Sequence, residues 1–163
     1  MNSFSTVDVI AACHEFSPQL KVVSSLDSFK VMLAIAAVES GGADPKFAGH
    51  DCGPRFEPVY YVNGYWYNKS PKVQEAVAKF DRHGASSFGP WQMMFFNFSP
   101  TRTPDELLTN LESCAQDFVA WFNGYVSHQR PISLDEIGEI WNAGHKTSDI
   151  PYTTKLTKAY NLI

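Results

Sequence analysis

The chain has 163 residues, a length that suits one domain and suffices to bury a core. Hydrophobic residues at 44% against charged residues at only 18% exclude a disordered segment, and a formal net charge of -4 excludes the basic face with which nucleic-acid binders neutralise phosphates. The longest apolar run, 31–38, is too short to span a bilayer, and the N-terminus lacks the basic start and apolar stretch of a signal peptide; Cys13, Cys52 and Cys114 are an odd number without metal-ligand spacing, which suits neither a disulfide framework nor a zinc site.

In chain order, Thr6 is read as the cap of a helix that runs through Phe16 and is interrupted by Ser17-Pro18. Ser25 or Asp27 opens a second helix that is apolar almost all round (Phe29, Val31, Met32, Leu33, Ile35, Ala36, Val38), the pattern of a helix buried at a domain centre, and that ends at Gly41-Gly42. The Gly-, Pro- and Asp-rich stretch from Gly42 to Asn68 reads as loop, with a small hairpin predicted about Asn63-Gly64, between Val59-Tyr60-Tyr61-Val62 and Tyr65-Trp66-Tyr67. Ser70-Pro71 starts a helix to about Arg82. Thr103-Pro104-Asp105-Glu106 is a capping box for a helix carrying Leu107, Leu111, Cys114, Phe118 and Trp121, with a break expected near Asn110. Ser133-Leu134-Asp135-Glu136 is a second box, for a helix stopping near Gly144, and a last helix follows Pro151. The fold class is mainly α (α+β), one domain over the whole chain.

Eight apolar residues lead directly into Glu39, so its carboxyl is expected at the C-terminal end of a buried helix. Low-dielectric surroundings and the negative pole of the helix both raise the pKa of a carboxyl there. A carboxylic acid that stays protonated near neutral pH is what protonating a glycosidic leaving oxygen requires. Glu57 is the first candidate for a second carboxylate, with Asp44 and Asp51 as alternatives; a salt bridge from Glu57 to Arg55 or Arg82 is the plainer role. His50-Asp51-Cys52 does not make a metal site, because adjacent residues do not converge easily on one ion. Trp91 is read as core. Gln92 and Asn142, taken alone, suit capping or turn-stabilising roles.

Three segments, AAVESGG at 36–42, SSFGPWQMM at 86–94 and IWNAG at 140–144, resemble the motifs of the lytic transglycosylase and goose-type lysozyme superfamily. RFEPVYY at 55–61 and ASSFGPWQMMFFNF at 85–98 are similar to patterns of the N-acetylmuramidase domain of phage endolysins. The resemblance runs from about Phe29 to Tyr160. Val59 stands where that family has a histidine, and Phe88 where tryptophan is usual. The resemblance implies a lysozyme-like fold and cleavage of peptidoglycan between N-acetylmuramic acid and N-acetylglucosamine, with Glu39 as catalytic acid. Ser40, Gly89, Gln92, Trp141, Asn142 and Tyr152 would contact the sugar, and no cofactor or metal is required. It further implies a monomer made in the host cytoplasm, with no membrane anchor, and released to the wall through a holin pore. A transglycosylase forming 1,6-anhydro products, a chitinase and a catalytically silent peptidoglycan-binding module are the alternatives.

Overall fold

The computed structural model describes residues 3–147 and 150–163, without the side chain of Ile150. It is mainly helical, with seven α-helices and one small sheet among the described residues. The helices are α1 (Thr6–Phe16), α2 (Ser28–Ser40), α3 (Pro71–Phe80), α4 (Pro104–Thr109), α5 (Leu111–Trp121), α6 (Leu134–Ala143) and α7 (Ile150–Leu162).

Local capping chemistry sets most of these boundaries. Asp27, Ser70, Thr103, Asn110 and Ser133 each accept a backbone N–H from the first turn of the helix they precede. The first helix differs by one residue from expectation. Ser5 is its cap, accepting from Asp8 N, while the Thr6 hydroxyl donates to the carbonyls of Lys46 and Ala48 and so ties α1 to the loop beyond α2. The two capping boxes close on one side only. Glu106 turns its carboxylate to Arg102 and Ser113, and Glu136 takes the Ile132 N–H and Lys146. The α3 helix stops at Phe80, short of Arg82, because Asp81 adopts φ +51° and the chain tightens into a 3-10 turn through Ala85. The last helix begins at Ile150, with Pro151 inside its first turn.

Residues Val31 to Ala37 of α2 are all buried, and the helix packs against α1 and α7. A fully apolar helix is stable only where neighbours cover every face. Around it, Phe88, Trp91, Phe118, Phe122, Ile137, Ile140 and Leu156 complete one continuous core, with a small satellite of Val73, Val77 and Ala85 beneath α3.

The predicted hairpin over Val59–Tyr67 does not form. Pro58–Tyr60 and Tyr67–Lys69 are 3-10 turns, and the two runs share one cross-link, Trp66 N to Val59 O. Pro58 removes a donor where a ladder would start, and Gly64 sits so tightly on the Pro58 and Val59 carbonyls that a Cβ there would lie 2.5 Å from each oxygen. The sheet lies elsewhere: β1 (Arg55–Phe56), β2 (Ser86–Phe88) and β3 (Met93–Met94), antiparallel in that order, with Arg55 opposite Ser87 and Phe88 opposite Met93. Among the described residues no helix is long and apolar enough to cross a membrane. Cys13, Cys52 and Cys114 are free and buried, and burial pushes the Cys52 thiol up to about 11.

Candidate active site at the end of α2

Glu39 lies in the last turn of α2, where the helix leaves the core and its final carbonyls lose their partners. Two side chains reach one oxygen of its carboxyl. Trp141 of α6 donates its indole N–H to Oε1 at 2.8 Å, and Tyr152 in the first turn of α7 donates its hydroxyl to the same atom, also at 2.8 Å. Among the described residues no protein group bonds the second oxygen, Oε2.

Burial is the strongest influence on this carboxyl and raises its pKa. The bonds from Tyr152 and Trp141, and then the charges of Arg55 and Lys155, pull the other way without overcoming it. Water is withheld more effectively than it is replaced.

Arg55 on β1 supplies a contact that sequence reading missed. Its guanidinium donates to the backbone carbonyl of Glu39 at 2.7 Å and to Asp51 Oδ2 at 3.1 Å. A cation on a helix C-terminal carbonyl satisfies an orphan acceptor and offsets the negative pole of the helix. One of the two arginines expected as a partner for Glu57 therefore grips the residue that carries the acid. The only sequence signal was its place in RFEPVYY, two residues before Glu57.

The aromatic residues form a continuous wall behind the acid. Trp91 is core, as read, its ring stacked on Phe118 at 5.0 Å and its N–H given to Met32 O at 3.0 Å. Phe118 meets Trp141 at 5.2 Å, and Trp141 meets Trp121 edge-on at 5.3 Å. Trp121 stacks on Tyr125, whose hydroxyl donates to the Gly144 carbonyl at the end of α6. Tyr125 belongs to a single π turn, Phe122–Val126, that follows α5.

The remaining motif residues divide by what their polar atoms hold. Ser40 is buried, its hydroxyl donating to Ala36 O and accepting from Gly49 N, both at 2.8 Å, so it ties the loop after α2 to the helix. Gln92 closes the turn between β2 and β3: its Oε1 accepts from Ser87, and its Nε2 donates to the carbonyls of Gly89 and Gly53. Its backbone is left-handed, with φ +46°, an unfavourable state for a residue with a side chain. Gly89, at φ +76°, leaves 3.1 Å between a hypothetical Cβ and Cys114 Sγ, so a side chain there would be strained in its backbone and would crowd α5. Asn142 is exposed on α6 beside Trp141.

Comparison with protein-family models, with curated proteins and with solved structures returns no match to this chain. Its chemistry has to be read from its own geometry.

Glu57 is exposed and directly follows β1 in extended backbone, its N–H given to Ala85 O at 2.9 Å. Alternation along a strand turns it to the same side as Arg55. Among the described residues it makes no ion pair: Arg55 takes Asp51, and Arg82 lies 3.9 Å over the Phe56 ring. Asp44 caps a 3-10 turn through Lys46 N. Of the three candidate second carboxylates, Asp44 and Asp51 bond side-chain or backbone partners, and Glu57 makes no ion pair among the described residues. Among the described residues no group of three histidine, cysteine or acidic side chains gathers where it would hold a metal.

Proposed function

We propose that this protein is a peptidoglycan-cleaving muramidase with a lysozyme-like fold, and that Glu39 protonates the oxygen linking N-acetylmuramic acid to N-acetylglucosamine. One observation carries the reading: a carboxyl whose pKa burial raises, steadied on Oε1 by Trp141 and Tyr152, with no bond from a described residue to Oε2.

The same arrangement serves both ends of the step. At rest, burial favours the protonated acid. As it passes from Oε2 to the leaving oxygen, the forming carboxylate gains from the two Oε1 donors and from the nearby Arg55 and Lys155 charges. Such interactions are stronger in the transition state than in the ground state, which is what accelerates a reaction. Trp141 and Tyr152 present aromatic flanks suited to a pyranose face, and Asn142 an amide for hydroxyl or acetamido groups. Glu57, on the strand side that also carries Arg55, is the carboxylate assigned to activate water or to attack the sugar carbon.

Mass spectrometry of fragments released from purified peptidoglycan tests this directly. Wild-type protein is expected to yield strands with reducing-end muramic acid, and Glu39→Gln to release them about a hundred to ten thousand times more slowly. Fragments ending in 1,6-anhydro-muramic acid would make the enzyme a transglycosylase with no need of Glu57. Normal cleavage by Glu39→Gln would sink the acid assignment, and no cleavage by wild type the reading itself.

A further inference from the structure

The apolar residues of the stretch 58–67 divide into two sets. Tyr60, Tyr61 and Tyr67 pack on the satellite core of Val73, Val77 and Ala85. Val59, Val62, Tyr65 and Trp66 are left outside, between 47% and 60% exposed. They are four of the nine large hydrophobic side chains that stand exposed among the described residues, so exposure is gathered here rather than scattered singly over the surface. The patch is held in shape. Trp66 N–H donates to Val59 O at 2.9 Å and Gly64 N–H to Tyr61 O at 2.6 Å, and the Tyr65 and Trp66 rings meet edge-on with centres 4.8 Å apart.

Its charge is one-sided. Residues 58–74 include Lys69 and Lys72 and no acidic residue, in a chain whose formal net charge is -4. Lys69 Nζ lies 3.7 Å from the Tyr65 ring centre and 5.7 Å from that of Trp66. Lys72 Nζ lies 5.8 Å from the centre of the Phe96 ring, which Tyr60 meets at 5.0 Å. Among the described residues neither lysine has an ionic partner. The chemistry of the patch separates three kinds of occupant. A pyranose ring stacks on an open aromatic face, and here the two rings stand edge-on with an ammonium over one face of Tyr65. A stable protein partner covers about 800 Å² on each side, whereas four partly exposed side chains offer a few hundred Å² on the order-of-magnitude scale of a surface patch. A bilayer interface accepts the set as it stands, with tryptophan and tyrosine at the headgroup level, valines beside them and lysines on anionic headgroups.

We propose that Val59, Val62, Tyr65 and Trp66, with Lys69 and Lys72 beside them, dock this protein on the surface of an anionic phospholipid bilayer. The contact is peripheral and spans nothing. It goes beyond the muramidase reading and does not depend on it.

The test sediments the full chain with vesicles of phosphatidylglycerol and phosphatidylethanolamine, or of phosphatidylcholine alone, at about 0.15 M salt. Wild type is expected to bind the anionic vesicles about tenfold more tightly than the neutral ones, and Lys69→Gln to bind the anionic ones about fivefold more weakly than wild type, the worth of one lysine near a charged surface. Tyr65→Ser/Trp66→Ser is expected to lose about tenfold or more on the anionic vesicles, because its apolar contact is gone. Both side chains are exposed, so the fold persists, which a thermal melt verifies. Trp66→Phe keeps the apolar surface and still binds. Lipids with brominated acyl chains are expected to quench the tryptophan fluorescence of wild type and to leave that of Trp66→Phe unquenched. The proposal is overturned by no sedimentation of wild type with the anionic vesicles, by equal binding to both lipids, by equal binding of the serine variant, or by quenching that survives Trp66→Phe. A wild-type dimer in velocity sedimentation that the serine variant abolishes, with no vesicle binding, would give the patch to a second copy of the chain instead.

Discussion

Two clusters in this molecule set an arginine beside a glutamate and reach opposite results. In the first, Arg102 joins Asp117 at 2.9 Å and Glu106 at 2.7 Å; Ser113 and the Ser99 N–H fill further acceptor positions. Hydrogen bonds and the arginine hold Glu106 below the usual carboxylate range. In the second, at the end of α2, the guanidinium of Arg55 goes to the Glu39 carbonyl and to Asp51, and the Glu39 carboxyl is left with two neutral donors and stays above that range. A carboxyl that receives a cation directly is held ionised as a structural tie, whereas a buried one that receives only neutral donors has its pKa raised, which favours the protonated form.

The contrast is most easily broken at Arg102. Arg102→Met leaves Asp117, which is 9% exposed, with the Ser99 N–H as its remaining partner among those described, and is expected to cost about 2 kcal/mol in a denaturant titration at neutral pH. An unchanged midpoint would mean that the cluster is ornamental.

Glu39→Gln should shift stability the opposite way, and the sign follows from linkage. The folded pKa of Glu39 is raised, so between its ordinary value and its folded value the native state holds a proton that the unfolded chain has lost. Stability then falls as pH rises through that window. Glutamine removes the loss, so the variant should melt above wild type at neutral pH and alongside it at pH values below the ordinary glutamate range. Glu106 contributes with the reverse slope. Its folded pKa is lowered, so its stabilisation is present above the ordinary range and is lost as pH falls through the depressed value.

Tyr152→Phe and Trp141→Phe sharpen the comparison at the acid. Each removes a donor that favours the ionised carboxyl, so the pH at which the proposed glycan cleavage declines on the alkaline side should move upward. The maximal rate should fall about tenfold, the worth of one hydrogen bond to a developing charge. A lowered rate with an unmoved pH profile would assign these residues to packing alone. Arg55→Met is expected to have the smallest effect: the same upward movement of the alkaline limb, with about 0.5 kcal/mol lost from the capped end of α2.

The limits of sequence reading fall along the same line between local and distant partners. The buried α2, its end at Gly41, the break at Asn110 and the stop at Gly144 were all legible, because caps, prolines and apolar periodicity act within a few residues. The sheet was misplaced. Aromatic, β-branched residues about Asn63-Gly64 carried strand propensity, yet Pro58 and the packing of Gly64 denied them a ladder, while Ser86-Ser87-Phe88 has little propensity and pairs on both sides. Gln92 shows the same limit at the site. Its motif marks a turn, but whether its amide faces a ligand or closes the turn depends on Ser87, Gly89 and Gly53, and it closes the turn.

By itself, the sequence determined that this chain is mainly helical and that a glutamate ends its most buried helix, since both follow from the order of neighbouring side chains. Only the tertiary structure decided what surrounds that glutamate. Trp141 and Tyr152 arrive from 102 and 113 residues away to share one of its oxygens, and Arg55 takes its carbonyl from a strand whose pairing the sequence did not announce. The physical reason is that a carboxyl's proton affinity is set by everything within a few ångströms of it, and most of those groups are brought there by packing rather than by sequence proximity.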